Sequence, residues 1–199
     1  MNIFTMIEIN KERYSFRDDY AGLLFVLKGT QTKKQDYGKN SFNLGNVMFD
    51  GACFWGTDGC RLHYYYMKNT DIEPGVYTVI KRDDKSIILD RTDEGFQGFP
   101  QIARLIMFTA EYEWSLSISL SDNKYLKVNK LQEGKLRNRQ QLVREYSRLI
   151  KKMQEDVTVD FQFFADLPAG AYEIYYYGDR EMIGVCGEDK GAIIMPMII

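Results

Sequence analysis

The chain alternates short apolar runs with polar breaks, and most of those runs carry the period of two that marks a half-buried strand. Residues 3–9 read as a first strand. Ser15 stands where a helix cap belongs, with Asp18 three positions on, and Tyr20, Leu23, Leu24 and Leu27 then follow at helical spacing until Gly29. The polar, Lys-rich stretch 30–43 reads as a loop. Residues 46–55 and 61–67 read as two strands joined by the turn Gly56-Thr57-Asp58-Gly59. Residues 75–80 and 86–89 form a hairpin across Lys81-Arg82-Asp83-Asp84-Lys85, consecutive charges that suit a solvated turn, and 91–103 read as a linker. In the second half Trp114, Leu116, Ile118 and Leu120 alternate with Ser115, Ser117 and Ser119, and 123–128 reads as the hairpin partner. The clearest helix is 137–152. Strands follow at 157–163, 172–177, 181–186 and 191–198, with Gly178-Asp179 as a hairpin turn.

Strand, helix and strands thus occur twice. That order predicts an α+β fold with two helices packed on antiparallel sheets and an internal pseudo-two-fold. The 199 residues form a single domain with halves of about 1–105 and 106–199, two reduced domains being the other division. Composition agrees: 45% hydrophobic and 27% charged residues suit a folded globular protein, and fourteen Tyr with twelve Phe favour sheet. A net charge of -2 gives no whole-molecule field toward nucleic acid or anionic membrane, so any DNA contact needs a local basic face. Cys53, Cys60 and Cys186 are too few and too widely spaced for a disulfide framework, the opening residues lack a signal peptide's basic lead, and no run reaches membrane-spanning length. A cytoplasmic location is expected.

One local basic face exists. Leu142, Tyr146, Leu149, Ile150 and Met153 share one side of the 137–152 helix, while Arg137, Gln141, Arg144, Arg148 and Lys152 share another. Residues 135–152 hold seven basic side chains against one acid, Glu145. The face is either solvated or presents cations to phosphates without reading sequence. Catalytic chemistry finds little support. His63 is the only histidine and has no Ser or Cys signature around it. Cys60 and His63 fall on opposite faces of a strand, the cysteine spacings match no zinc motif, and no Gly-rich phosphate loop is present. No enzyme, metal or cofactor is expected.

The C-terminal run Lys190-Gly191-Ala192-Ile193-Ile194-Met195-Pro196-Met197-Ile198-Ile199 is apolar where termini usually fray, so it reads as a tied-down strand or the wall of a groove. Pro196 favours a strand end or edge. The segment Gly56-Thr57-Asp58-Gly59-Cys60-Arg61-Leu62 resembles the Ala-Thr-Asp-Gly-His-Arg-Leu signature of the bacterial sliding clamp, the beta subunit of DNA polymerase III. Ile194-Met195-Pro196-Met197-Ile198-Ile199 is similar to that family's closing Val-Met-Pro-Met-Arg-Leu, and Phe99-Pro100-Gln101-Ile102-Ala103-Arg104 to its Phe-Pro-Asp-Tyr-Arg-Arg.

The resemblance implies a non-catalytic DNA replication or repair platform, a processivity factor that binds linear peptides of polymerase or repair-type partners, with or without encircled duplex DNA. It implies a peptide pocket of Thr57, Gly59, Cys60, Arg61 and Leu62 on one side and Ile194, Met195, Pro196 and Met197 on the other. Arg137, Arg144, Arg148 and Lys152 are then the DNA-facing candidates, by face rather than by motif. Self-association into a homo-oligomer is a further expectation, and no membrane partner is. The departures are Cys60 for the family His, Ile198 for an Arg, and a chain about half a three-domain clamp, which leave ring closure and subunit number open. The rival readings are a clamp-derived binding or structural protein that no longer touches DNA and, more distantly, an enzyme with an unrecognised site.

Overall fold

The computed structural model describes residues 6–11, 19–30, 43–67, 71–92, 99, 112, 114–120, 162–178 and 182–195. The chain divides into two compact units, Met1–Met107 and Phe108–Ile199. In the first, six strands follow one helix or precede it: β1 (Met6–Asn10), α1 (Asp19–Lys28), β2 (Val47–Phe49), β3 (Cys53–Thr57), β4 (Arg61–Tyr66), β5 (Gly75–Arg82) and β6 (Ser86–Arg91). Their order in the sheet is β1-β6-β5-β2-β3-β4, antiparallel throughout. The second unit holds β7 (Trp114–Leu120), one short turn of helix α2 (Gln162–Ala165), β8 (Gly170–Tyr176), β9 (Ile183–Cys186) and β10 (Lys190–Ile194). Here the order is β10-β9-β8-β7, again antiparallel.

The expected layout of two helices packed on antiparallel sheets with a pseudo-two-fold is not what the described residues show. They are mainly antiparallel sheet, with α1 the one helix longer than a turn. The two units are not copies in what is described, with six strands in one and four in the other. Period-two runs of β-branched and aromatic residues dominate the described sequence, and such side chains suit a pleated surface better than a helix. The predicted helix 137–152 lies outside the described residues, as do 123–128 and 157–161. Gln162 and Phe163, expected to close a strand, belong to α2. The single strand expected over 46–55 is broken at Asp50-Gly51-Ala52 into β2 and β3.

Helix α1 carries an acid, Asp19, in its first turn and a base, Lys28, in its last, each at the end where the helix dipole favours it. It buries Tyr20, Gly22, Leu23, Phe25, Val26 and Leu27, which is most of its circumference. Leu23, Val26 and Leu27 join Ile9, Val47, Phe49, Phe54, Tyr65, Tyr77, Ile87 and Leu89 in one core. Glycines line the contact of the helix with β3 and β4. A Cβ on Gly22 would lie 2.5 Å from the Tyr65 ring, and one on Gly56 would lie 2.7 Å from the Val26 carbonyl oxygen. Neither side could carry even a methyl group without displacement. The Tyr65 hydroxyl donates to the Asp19 carboxylate, and the Tyr20 hydroxyl donates to the Asp83 carbonyl, so the start of the helix is held at two adjacent residues. Elsewhere the buried Asn46 amide oxygen accepts the Thr78 hydroxyl at 3.0 Å.

His63 lies fully buried in the same contact. Its ring stacks on Phe25 with centroids 4.3 Å apart, and Nδ1 lies 2.8 Å from the Phe25 carbonyl oxygen, which fixes Nδ1 as the protonated nitrogen. Nε2 has no hydrogen-bond partner. Burial drives the imidazole pKa down from 6.5 to about 3, the Phe25 bond opposing and the nearby Arg61 and Lys28 charges assisting. Among the described residues no helix is long and apolar enough to cross a membrane.

The buried histidine makes stability depend on pH. Because its folded pKa lies below its unfolded one, the unfolded chain binds a proton between those values that the folded chain refuses. Stability is therefore full above the unfolded value and falls with pH toward the folded one. Denaturant unfolding should lose about 2 kcal/mol between pH 7 and pH 5, and His63→Phe, which keeps the stacked ring, should flatten that slope. An equal slope in the variant would show that another group titrates there.

Candidate functional site

The segment Thr57–Leu62 closes the β3–β4 hairpin, and its geometry repeats at two other hairpins of the first unit. In each, an aspartate opens the turn and its Oδ1 accepts the backbone N–H groups two and three residues on. Asp50 does so from Ala52 and Cys53 at 2.8 and 2.7 Å. Asp58 accepts from Cys60 and Arg61 at 3.0 Å each, and Asp83 from Lys85 and Ser86 at 2.9 and 2.8 Å. One carboxylate oxygen, with its two lone pairs, satisfies both donors at once. At Asp83 the Lys81 ammonium first, and then these backbone bonds, hold the carboxyl well below the usual range.

Around Asp58 the turn gains further restraints. The Thr57 hydroxyl donates to the Arg61 carbonyl at 2.6 Å and accepts the Gly59 N–H at 3.1 Å. Gly59 has φ +91°, a conformation side chains resist, and Leu44 lies beside it, 3.6 Å from where a Cβ would stand. The Arg61 guanidinium forks: Nε donates to Asp58 Oδ2 at 3.0 Å and Nη2 to the Lys28 carbonyl at 2.7 Å. Arg61 thus ties the hairpin tip to the last residue of α1, where carbonyls left over by the helix call for donors. Its side chain is 12% exposed.

The predicted pocket residues therefore separate by role. Thr57 and Leu62 are buried partners across the strand pair, Arg61 is an internal strut, and Gly59 and Cys60 are the exposed tip. Sequence reasoning missed Asp58, which organises the turn, and Leu44, which flanks it. The Asp-Gly pair was a signal for the first; the chain offers none for the second. On the C-terminal side Ile194 is buried at the end of β10 and Met195 is 41% exposed, while Pro196 and Met197 lie outside the described residues. This half belongs to the second unit and the Thr57–Leu62 half to the first. The DNA-facing candidates Arg137, Arg144, Arg148 and Lys152 also lie outside the described residues.

The cysteines differ in environment. Cys60 is exposed at the tip, whereas the Cys53 thiol is pushed up to about 12 by burial and by the Asp50 charge. Among the described residues, no group of His, Cys, Asp and Glu is placed to hold a metal ion.

No protein-family model matches the chain, and no curated protein matches it. Solved structures do match it in fold. The chain aligns over 100% of its length with the DNA polymerase III beta subunit of Borrelia burgdorferi, at 14% identity and TM-score 0.55, covering 64% of that chain. The Helicobacter pylori beta clamp bound to a DNA ligase peptide aligns at 10% identity and TM-score 0.52, with 67% of it covered. The Streptococcus pneumoniae beta chain aligns at 11% identity and TM-score 0.54, with 66% covered. The chain therefore has a sliding-clamp fold and spans about two thirds of the length of these proteins.

The strut role of Arg61 is testable by stability alone. Arg61→Ala removes both bonds and should cost about 1–2 kcal/mol in denaturant unfolding, and Arg61→Lys, which keeps charge but cannot fork, should recover less than half of that loss. Full recovery by Lys would reduce the residue to a simple surface charge.

Proposed function

We propose that the chain is a non-catalytic, clamp-like platform that docks linear peptides of replication or repair proteins. The observation that carries this reading is a fold shared over the entire chain with bacterial clamps, one of which was solved with a DNA ligase peptide bound. The docking residues proposed are those of the hairpin tip in the first unit and, in the second, Ile194 at the end of β10 with Met195, Pro196 and Met197 after it in the chain. A tip held by Asp58, Thr57 and Arg61 supports the reading, because a preformed surface loses little entropy when an extended peptide settles on it. Met195 and Met197 supply thioethers that adapt to varied apolar anchors. Arg61 then acts through the tip's position, and the groups offered to a peptide are Gly59, Cys60, Leu44 and the methionines.

Duplex DNA is the second proposed partner, held through phosphates by Arg137, Arg144, Arg148 and Lys152. Such contacts carry no sequence information and weaken steeply with salt.

The two partners are tested separately. In titrations with a fluorescent clamp-binding peptide, Met197→Asp should weaken binding at least about tenfold, since a carboxylate in an apolar groove is poorly solvated; undiminished binding would remove the docking assignment. For DNA, the double variant Arg144→Glu and Arg148→Glu should lower the slope of log K against log salt by about two. An unchanged slope would leave the peptide platform standing and exclude this basic face from DNA contact.

A further inference from the structure

A different surface stands on the outward face of β7 and β8. Tyr172, Ile174 and Tyr176 of β8 turn into the core, which sends Glu173 and Tyr175 to the other side. Across the strand pair Tyr175 faces Ser115, Glu173 faces Ser117 and Ala171 faces Ser119. All three serines are exposed, so small side chains form a floor from which the tyrosine ring rises. Tyr112, 51% exposed, packs its ring against Tyr175 with centroids 5.2 Å apart and planes tilted by 58°. The Ser117 hydroxyl donates to Glu173 Oε2 at 2.7 Å and so orients the carboxylate on this face. The Tyr175 hydroxyl is pushed up, by burial first and then by the neighbouring Cys186, Glu173 and Tyr112. Among the described residues this face carries no Lys or Arg.

We propose that Tyr112, Tyr175 and Glu173 form a docking site for an arginine side chain carried by a segment of a partner protein. Aromatic faces present negative charge to an approaching group, and a guanidinium both stacks on such a face and forks onto a carboxylate. A carboxylate has about four acceptor sites, of which Ser117 occupies one. An anionic ligand is disfavoured, since it meets the Glu173 carboxylate and, among the described residues of this face, no Lys or Arg to offset it. A purely apolar ligand finds a floor of serine hydroxyls. The site is independent of the peptide docking proposed at the hairpin tip and on the C-terminal strand, and a variant at either place leaves the other intact.

The test uses the full chain and fluorescence anisotropy with an arginine-rich Gly-Ser peptide and its citrulline counterpart, which keeps the shape and loses the charge. The arginine peptide should bind and the citrulline peptide should not. Tyr175→Leu and Glu173→Gln should each weaken binding about threefold and together about tenfold, with unfolding midpoints unchanged because both side chains lie on the outward face. Glu8→Gln, an exposed carboxylate on β1, and Met197→Asp should leave binding as it was. Equal binding of the citrulline peptide, or an equal loss in Glu8→Gln, would overturn the site in favour of non-specific attraction. Binding of a single-stranded oligonucleotide that is lost in Tyr175→Leu would overturn it in favour of base stacking.

Discussion

The close approach of α1 to β3 and β4 is the constraint on which the first unit depends. Gly22, Gly29 and Gly56 leave no room for a Cβ where helix and strands meet. Only at that separation can the Tyr65 ring lie over Gly22 and His63 fit between Gly29 and Phe25. The same spacing brings the Lys28 carbonyl within reach of Arg61. Packing in the core therefore sets the position of a surface hairpin tip, through an arginine whose helix partner lies thirty-three positions away. Interiors transmit such constraints because they are close-packed and yield little.

Hydrogen-bond satisfaction does the rest. Three hairpins of the first unit open on an aspartate whose carboxylate closes the turn, yet only the β3–β4 turn adds an arginine that reaches the helix. The β5–β6 turn is tied to the same helix by the Tyr20 hydroxyl on the Asp83 carbonyl, and the β3–β4 turn by a side chain of its own, so both are fixed relative to a rigid element. Fixed tips suit binding, because ordering has already been completed in folding. The second unit offers a different kind of surface, a flat face of serines with tyrosine and glutamate, placed by strand register.

Much of this was legible in the sequence. Helical spacing located α1, and period-two alternation located β1, β4, β5, β6 and β7 to within a few residues. The break at Asp50-Gly51-Ala52 was missed because 46–55 is apolar enough to read as one strand, although Asp-Gly is the same turn signal that was noticed at Asp58-Gly59. The two-helix layout failed because element order along a chain does not specify how many helices a sheet accepts, and α2 is a single turn that no periodicity betrays. At the candidate site the motif pointed to Thr57 through Leu62 but could not assign roles. The tie from Arg61 to the helix was not legible, since its partner Lys28 lies thirty-three positions away and no local pattern connects them. His63 was weighed as a catalytic base or metal ligand; its apolar neighbours Phe25 and Gly29 come from a distant helix, and they make it a neutral core residue.

Cys60 stands exposed on the tip that the proposed partner peptide would cover, which makes its thiol a direct reporter of docking. The decisive measurement is its alkylation rate with and without a saturating concentration of clamp-binding peptide, in a background with Cys53 and Cys186 replaced by serine. Docking on the hairpin tip predicts that bound peptide slows alkylation at least about tenfold. An unchanged rate with the peptide demonstrably bound would place docking elsewhere and contradict the account.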